Sequence, residues 1–200
     1  MYKRRLHHFW TIVRAVKVRY LFVLLLASTA VTIIALRANN VRMIQLRNNV
    51  YAADERAGNV EIALQDLRKH VHSHMNTSLS VGNNIYPPIQ LKHTYQRLQQ
   101  AEKGRVQRDN AKVYTEAQNY CEQQNPTGFS GRGRVPCIEE YVTARKVTEH
   151  PIPDAMYKFD FVSPAWSPDL AGYGFVTSIL LFVLLALRIA ARPLLKYFGV

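Results

Sequence analysis

The sequence predicts an all-α membrane protein in which two transmembrane helices flank a helical domain outside the membrane. Two long uncharged apolar runs, at 20–36 and 170–187, lead to the first part of this prediction. At about 1.5 Å per residue each run is roughly 26 Å long, enough to cross the hydrocarbon core of a bilayer. Between them, a ladder of apolar residues and one pair of cysteines predict a long antiparallel helical hairpin, a short third helix and a disulfide-closed loop.

Basic residues are concentrated at the two ends of the chain and predict its orientation. Segments 1–19 and 188–200 carry nine of the 26 Lys and Arg residues and no Asp or Glu. Because positively charged flanks stay on the cytoplasmic side, we expect both termini inside and the central segment outside a plasma membrane. The predicted parts are a basic cytoplasmic segment at 1–19, spans at 20–36 and 170–190, an extracytoplasmic domain at 37–169 and a cytoplasmic tail at 191–200. The net charge of +12 then reflects orientation and attraction to anionic lipid headgroups rather than to nucleic acid.

The first apolar run also fits a secretory signal peptide. Basic residues precede it, and Ser28, Thr29 and Ala30 offer a small-residue cleavage site. However, the run continues beyond Ala30 and leads into the ladder without a break. We therefore expect a retained membrane anchor, with a cleaved signal peptide as the alternative. The expected cytoplasmic ends are too short for a folded domain, so we do not expect a self-contained kinase or cyclase.

Beyond the first run, apolar residues recur at steps of three and four, and this spacing predicts one long helix that leaves the membrane. The ladder consists of Leu36, Met43, Leu46, Val50, Ala53, Ala57, Val60, Leu64, Leu67 and Val71. It ends in a stretch of turn-forming residues at 76–84, and two prolines at 87–88 then mark the start of a second helix. Helices over 37–77 and 87–124 have similar lengths, which favours an antiparallel hairpin.

Cys121 and Cys137 are the only cysteines, and both lie in the predicted outer segment. A single close pair in an oxidising compartment predicts one disulfide, with two buried free thiols as the alternative. Closing a loop of about 15 residues stabilises a fold by roughly 3 kcal/mol. The enclosed segment contains Arg132 and Arg134, and we interpret it as a surface loop or, alternatively, as a basic contact site for phosphate or lipid headgroups. A short third helix is expected at about 136–147.

Two histidines are the strongest candidates for metal ligands. His70 and His74 are four residues apart on one helix face, which suits a metal ion, although solvated or pH-titrating histidines are the expected alternative. Trp166 belongs to an aromatic cluster before the second span, and we interpret it as an interfacial anchor or as part of a binding groove. Asp54 and its charged neighbours are expected on solvated helix surface. No catalytic motif is recognisable, and we expect no cofactor and no resident metal.

Four short segments and the cysteine pair point to a group of proteins. They are VRMIQLR at 41–47, HMNTSL at 74–79, YPPIQL at 86–91 and FDFVSP at 159–164, together with the Cys121–Cys137 block. In these segments the chain resembles uncharacterised two-span membrane proteins of candidate-phylum bacteria such as Saccharibacteria. The resemblance covers most of the outer segment and implies a bacterial plasma membrane. It implies no activity and no functional residues.

The expected function is non-catalytic: a membrane-anchored extracytoplasmic scaffold or protein-interaction module of the cell envelope. Its expected partners are the lipid bilayer, other membrane or envelope proteins and a second copy of the chain, but not nucleic acid. Asn39 is a polar residue at a ladder position, where it can fix the register of a self-associating coiled coil. One alternative is a transmembrane sensor or signalling subunit that acts through a separate cytoplasmic partner. Another is a metal-dependent or envelope-modifying enzyme.

Overall fold

The computed structural model describes residues 17–79, 86–124 and 131–197, and of residues 131, 132 and 191–197 only the backbone. This part of the chain forms five α-helices and one two-stranded antiparallel sheet. The elements are α1 (Val18–Glu55), α2 (Val60–Ser73), β1 (Ile89–Gln90), α3 (Lys92–Gln124), α4 (Gly131–Arg145), β2 (Lys158–Phe159) and α5 (Leu170–Tyr197), with a 3-10 turn at Asp154–Met156. The predicted basic segment at 1–19, apart from 17–19, lies outside the described residues, as do 80–84 of the predicted turn and 125–130 of the predicted loop.

The chain divides into two compact units. Unit 1 is made of Met1–Ala53, Asn59–Tyr86 and Asp160–Val200, so its described elements are most of α1, α2 and α5. Unit 2 is made of Asp54–Gly58 and Pro87–Phe159 and contains α3, α4 and the small sheet.

Two helices of the described chain are long and apolar enough to cross a membrane, as the sequence predicts. They are Val18–Glu55 and Leu170–Ala190, with mean hydropathies of 2.2 and 2.3 in their most apolar 18 residues. Within those windows 11% and 22% of the residues are buried. Apolar helices with so few buried residues are suited to a lipid environment rather than to the core of a soluble domain.

Small residues let α1 and α5 approach closely in unit 1. The hydroxyl oxygens of Ser28 and Ser178 are 2.9 Å apart and share a hydrogen bond. A Cβ added to Gly174 would lie 2.5 Å from the hydroxyl oxygen of Thr32, so a larger residue would push the helices apart. Close approach at small residues, with hydroxyls bonded across the contact, is typical of packed transmembrane helices.

The prediction of one unbroken helix from 37 to 77 is wrong, because α1 ends at Glu55 and α2 begins at Val60. Ala57 has a positive φ of 52°, a left-handed conformation that ends a helix. Asn59 then caps α2, its side chain accepting a hydrogen bond from the backbone of Ile62 at 3.2 Å. Six of the ten ladder residues are nevertheless buried, on both sides of the break: Met43, Leu46, Val50, Leu64, Leu67 and Val71.

Helix α2 returns alongside α1 within unit 1. The Nε2 atom of His70 donates a hydrogen bond to the backbone oxygen of Asn39 at 3.0 Å, although 31 residues separate the two. Beyond α2, Arg47 donates to the backbone oxygen of Leu79 at 3.4 Å. The buried ladder residues of α1 and α2 therefore lie in the same unit, before and after the short turn at 56–59. The predicted pairing of the ladder's outer arm with the helix at 87–124 stays a prediction.

In unit 2, α3 and α4 are joined by the predicted disulfide between Cys121 and Cys137, whose Cα atoms are 6.0 Å apart. The predicted third helix is confirmed as α4, although it begins at Gly131 and includes Pro136. Ala117 and Cys121 are the buried residues of α3.

The segment after α4 lies along α3 and ends in the sheet. The side chain of Asn110 bonds both the backbone N–H of Val147, at 2.8 Å, and its oxygen, at 3.0 Å. The sheet then pairs Ile89 with Phe159.

Candidate functional site

A stack of two tyrosines and an arginine lies at the surface of unit 2. The rings of Tyr120 on α3 and Tyr141 on α4 have centroids 5.3 Å apart, and the guanidinium carbon of Arg145 lies 4.0 Å from the centroid of Tyr141. Tyr120 is 48% exposed and Arg145 is exposed, whereas Tyr141 is half-buried. We call Tyr120, Tyr141 and Arg145 the aromatic surface.

The disulfide fixes the two tyrosines relative to each other. Tyr120 directly precedes Cys121, and Tyr141 follows Cys137 by four residues, which is about one helical turn. The covalent bond between the helices therefore sets the spacing of the two rings. Tyrosine and arginine are enriched among the residues that contribute most to binding energy at protein interfaces. The aromatic surface can stack on planar or apolar groups while the guanidinium still offers hydrogen-bond donors.

The structure shows the side chain of only one of the two arginines, Arg132 and Arg134, that we considered as contact residues. Arg134 forms an ion pair with Glu122 at 2.9 Å, so its guanidinium is engaged on the surface of unit 2. The side chain of Arg132 lies outside the described residues. The basic contact site that we considered for this segment stays a prediction.

His70 and His74 form a stacked pair, with ring centroids 4.3 Å apart. The Nε2 atom of His70 bonds the backbone oxygen of Asn39, and the Nδ1 atom of His74 donates to the backbone oxygen of His70 at 3.0 Å. Within residues 17–79, 86–124 and 131–197 there is no group of three or more His, Cys, Asp or Glu side chains that could hold a metal ion. The hydrogen bond of His70 therefore joins α2 to α1, whereas that of His74 lies within the last turn of α2.

A polar network surrounds Asp169, just before α5. Its carboxylate accepts hydrogen bonds from the side chains of Asn39 at 2.7 Å and Ser167 at 2.9 Å, and from the backbone of Gly172 at 2.9 Å. The buried hydroxyl of Ser167 in turn accepts the backbone N–H of Met75 at 3.0 Å. Burial alone would raise the pKa of Asp169, but these hydrogen bonds outweigh burial and hold the pKa below its usual value. We call Asn39, Ser167 and Asp169 the polar network.

The structure bears on the sequence-based interpretations of two residues, Asn39 and Trp166. The side chain of Asn39, which we expected in the seam of a self-associating coiled coil, binds Asp169 of its own chain instead. Trp166 is 44% exposed and meets the ring of Tyr173 edge-on, with centroids 5.8 Å apart. It stands beside the first turn of α5, the position expected of an interfacial aromatic residue.

Asp54 is a residue whose role the sequence reasoning missed. Rather than lying on solvated surface, it is 2% exposed and caps the N-terminus of α3. Its carboxylate accepts from the backbone of His93 at 2.9 Å and from the backbone of Thr94 at 2.7 Å, and it pairs with Arg97 at 3.1 Å. Burial would raise the pKa of Asp54, but the hydrogen bonds from Thr94 and His93 lower it further than burial raises it. No local pattern signals a cap that comes from a distant part of the chain.

A second polar contact of unit 2 holds the segment after α4. Glu102 accepts the backbone N–H of His150 at 2.8 Å and the guanidinium of Arg105 at 2.6 Å. The hydrogen bond from Arg105 is the main cause that lowers the pKa of Glu102 to about 2. These contacts position a segment of the chain, and we assign them no binding role.

No protein-family model matches the chain, and comparison with curated proteins and with solved structures finds no match. The resemblance to membrane proteins of candidate-phylum bacteria therefore stays a prediction.

Proposed function

We propose that the protein is a non-catalytic, membrane-anchored interaction module of a bacterial cell envelope. The observation on which the proposal depends is the aromatic surface, in which Tyr120 and Arg145 are exposed, Tyr141 is half-buried and a disulfide links the two helices. In this proposal the two apolar helices anchor the chain, and unit 2 presents the aromatic surface to a protein partner outside the cytoplasm.

Preordering is what makes the aromatic surface suited to binding. A free tyrosine or arginine loses rotamer freedom when it binds, at a cost of about 0.5–1.5 kcal/mol for each flexible side chain. In this stack the ring of Tyr141 contacts both Tyr120 and Arg145, and the helices that carry the tyrosines are crosslinked. Much of the ordering cost has therefore been met before a partner arrives.

Charge and redox chemistry support the proposed orientation. The basic ends flank the apolar helices, as the positive-inside rule expects of cytoplasmic segments. A disulfide persists outside the reducing cytoplasm, which is consistent with unit 2 on the opposite side of the membrane. Labelling with a membrane-impermeant maleimide in intact cells tests the orientation. We expect Gln100→Cys to react and Val200→Cys to react only after the membrane is opened, and the reverse result would contradict the proposal.

Site-specific photo-crosslinking tests the binding role. A photoreactive phenylalanine analogue is placed at Tyr120 or, as a matched control, at Tyr114 of the full chain in its native membrane. Both tyrosines lie on α3, and they are 48% and 49% exposed. They face directions about 120° apart, because six residues turn an α-helix by about 600°.

We expect a discrete crosslinked protein from position 120 and none from 114. The Arg145→Ala substitution should reduce this product several-fold, since it removes the guanidinium from the stack. Identical products from both positions, or a product at 120 that does not respond to Arg145→Ala, would contradict an interaction role for the aromatic surface.

A transmembrane signalling subunit is the second candidate, and the polar network favours it. The network joins Asn39 on α1 to Asp169 at the start of α5, so a change in its hydrogen bonds can shift one apolar helix against the other. The pair Ser28→Cys and Ser178→Cys measures this shift, because the native hydroxyls are 2.9 Å apart. If the protein signals in this way, Asp169→Asn should change the rate at which the introduced cysteines crosslink. An unchanged rate would count against signalling.

A further inference from the structure

Helix α1 carries a second stripe of residues that are exposed in the described part of the chain. The stripe consists of Ala27, Ala30, Ile34, Arg37, Val41, Ile44 and Asn48, and every one of these residues is exposed. Successive members are alternately three and four residues apart, which is the 3.5-residue repeat of a coiled-coil seam. We call these seven residues the outer stripe.

The outer stripe lies on the side of α1 opposite the packed ladder. At about 100° per residue, its mean direction is roughly 180° from that of Met43, Leu46 and Val50. Those three side chains are at most 9% exposed, whereas Val41 is 46% and Ile44 is 37% exposed. The fold thus uses one face of α1 for intramolecular packing and leaves a regular, partly apolar face available.

We propose that the outer stripe is the seam of a parallel homodimer, in which α1 of one copy packs against α1 of a second copy. The proposal rests on the membrane anchoring put forward as the protein's function. Two copies in one bilayer have the same orientation and the same depth. Their α1 helices therefore run parallel, and each stripe residue faces its own counterpart across a two-fold axis.

The residue types of the stripe fit a two-stranded parallel pair. Taking Val41 as position a of the heptad, the a positions are Ala27, Ile34, Val41 and Asn48, and the d positions are Ala30, Arg37 and Ile44. Branched residues such as Ile34 and Val41 are common at the a positions of parallel dimers, and a single polar Asn at a can specify the register and the oligomeric state. The two alanines permit close approach within the apolar run. Arg37 directly follows that run, where its guanidinium can extend to lipid headgroups beside the seam.

Continuity across the membrane boundary is the reason to favour a second copy over another apolar partner. Three stripe positions lie within the uncharged run at 20–36, and four lie beyond it. An occupant must supply a helix that crosses the bilayer and continues for about three more turns on the same repeat. A second α1 meets this requirement with its own outer stripe, whereas a soluble protein or a lipid can cover only one part.

Cysteine scanning in the full-length protein, expressed at low level in its membrane, tests this seam. Single cysteines replace Val41, Ile44 or Asn48, and the matched controls Arg42→Cys, Gln45→Cys and Asn49→Cys each lie one residue further along on exposed positions. After mild oxidation, the covalent dimer is measured on non-reducing gels, with the parent protein as the background. We expect dimer yields several-fold higher at the stripe than at the controls. Equal yields at all six positions, or none above the parent, would overturn the proposal.

A charge substitution supplies an independent test of the dimer seam. The double variant Val41→Glu/Ile44→Glu should lower the dimer fraction at least tenfold, measured by single-molecule photobleaching in liposomes. The control Arg42→Glu/Gln45→Glu should retain the dimer. Because the substituted side chains are exposed, the unfolding temperature of the isolated subunit should stay the same in both variants. A dimer that survives the first double variant would also refute the seam.

Carbonate extraction separates failure of the dimer from failure of the proposed anchoring. A protein that carbonate releases from the membrane contradicts the anchoring and, with it, the parallel register. A protein that stays embedded but gives equal crosslinking at stripe and control positions overturns only the dimer.

Discussion

In unit 1, α2 buries three apolar side chains within 14 residues, whereas α3 of unit 2 buries only Ala117 and Cys121 along its 33 residues. Unit 2 has other contacts in their place. Its helices are crosslinked by a disulfide, α3 is capped by Asp54, and the segment after α4 is held by Glu102 and Asn110. Apolar packing thus predominates in α2, and covalent and polar contacts predominate around α3.

This difference matters for what each unit can do. A helix that buries little apolar surface keeps most of its side chains free for partners, as Tyr114 and Tyr120 show by their exposure. Its position must then be fixed by contacts at a few points. The comparison predicts that unit 1 is sensitive to the loss of core volume and insensitive to reduction, while unit 2 shows the opposite behaviour.

The largest expected effect is from a core truncation in unit 1. Leu67 has no exposed surface, so Leu67→Ala removes buried methyl groups and leaves a cavity. We expect a loss of about 3.5 kcal/mol, measured as the free energy of opening of α2 by hydrogen exchange in lipid nanodiscs. The control Ile62→Ala lies on the same helix at a position that is 56% exposed and should have little effect. Similar losses for both variants would remove the contrast between the units.

Removal of the disulfide is the corresponding change in unit 2. The double variant Cys121→Ser/Cys137→Ser opens a crosslink between residues 16 positions apart. We expect the opening free energies of α3 and α4 to fall by about 3 kcal/mol, because the unfolded chain regains loop entropy. Amide exchange in α2 of the same molecules is the internal control and should stay as in the parent protein. Faster exchange in α2 would show that the disulfide also stabilises unit 1.

The sequence predicted those parts of the fold that are marked by a long apolar run, by a regular apolar spacing or by a pair of cysteines. Two apolar runs gave the candidate spans, the ladder gave the buried positions such as Val50 and Val71, and the cysteine pair gave the crosslink. The helix break at 56–59 was missed because the ladder continues through it, although Gly58 and Asn59 are a recognisable stop and start signal. Spacing shows which residues are buried, but not whether they belong to one helix.

The candidate site was less accessible to sequence reasoning. In the sequence Asp54 is one member of a charged cluster, which is typical of helix surface. Its capping role was missed because only the tertiary fold brings the start of α3 to its carboxylate. The aromatic surface did have a signal, since Tyr120 and Tyr141 stand one residue before and four residues after a cysteine. Asn39 was assigned to a self-association seam from its spacing alone. The ladder spacing cannot tell which of two helix faces the chain covers by itself.

A smaller loss is expected when the cap on α3 is removed. Asp54→Ala leaves the backbone N–H groups of His93 and Thr94 without their acceptor and removes the carboxylate that pairs with Arg97. We expect a loss of about 2 kcal/mol in the opening free energy of α3. The control Glu55→Ala changes an exposed neighbour and should shift it by no more than about 0.5 kcal/mol. Equal effects of the two variants would show that Asp54 is no more than a surface charge.

The contribution of Asp54 should also depend on pH. Because its pKa is lower in the folded protein than the ordinary value of about 3.9, its stabilisation is fully present above that value. It is lost as the pH falls through the folded pKa. The difference in α3 stability between the parent and Asp54→Ala should therefore be constant from pH 7 to pH 5 and should shrink below pH 4. A difference that grows on acidification would have the wrong sign.

The smallest expected effect is a gain in stability, at the middle of α3. Glycine costs an exposed helix about 0.8 kcal/mol relative to alanine, because it loses more backbone entropy on folding. A Cβ at Gly104 would lie 3.4 Å from the end of the Arg108 side chain, an ordinary contact, so Gly104→Ala should recover about 0.8 kcal/mol of α3 stability.

The same substitution in unit 1 gives the contrast. At Gly172 a Cβ would lie 1.8 Å from the backbone oxygen of Ser167, so Gly172→Ala must displace the start of α5 and should destabilise it. Exchange rates in α3 and α5 measure both effects. If Gly104→Ala also destabilises, then α3 is more closely surrounded than its exposure indicates, and the distinction between a packed unit 1 and an open unit 2 no longer holds.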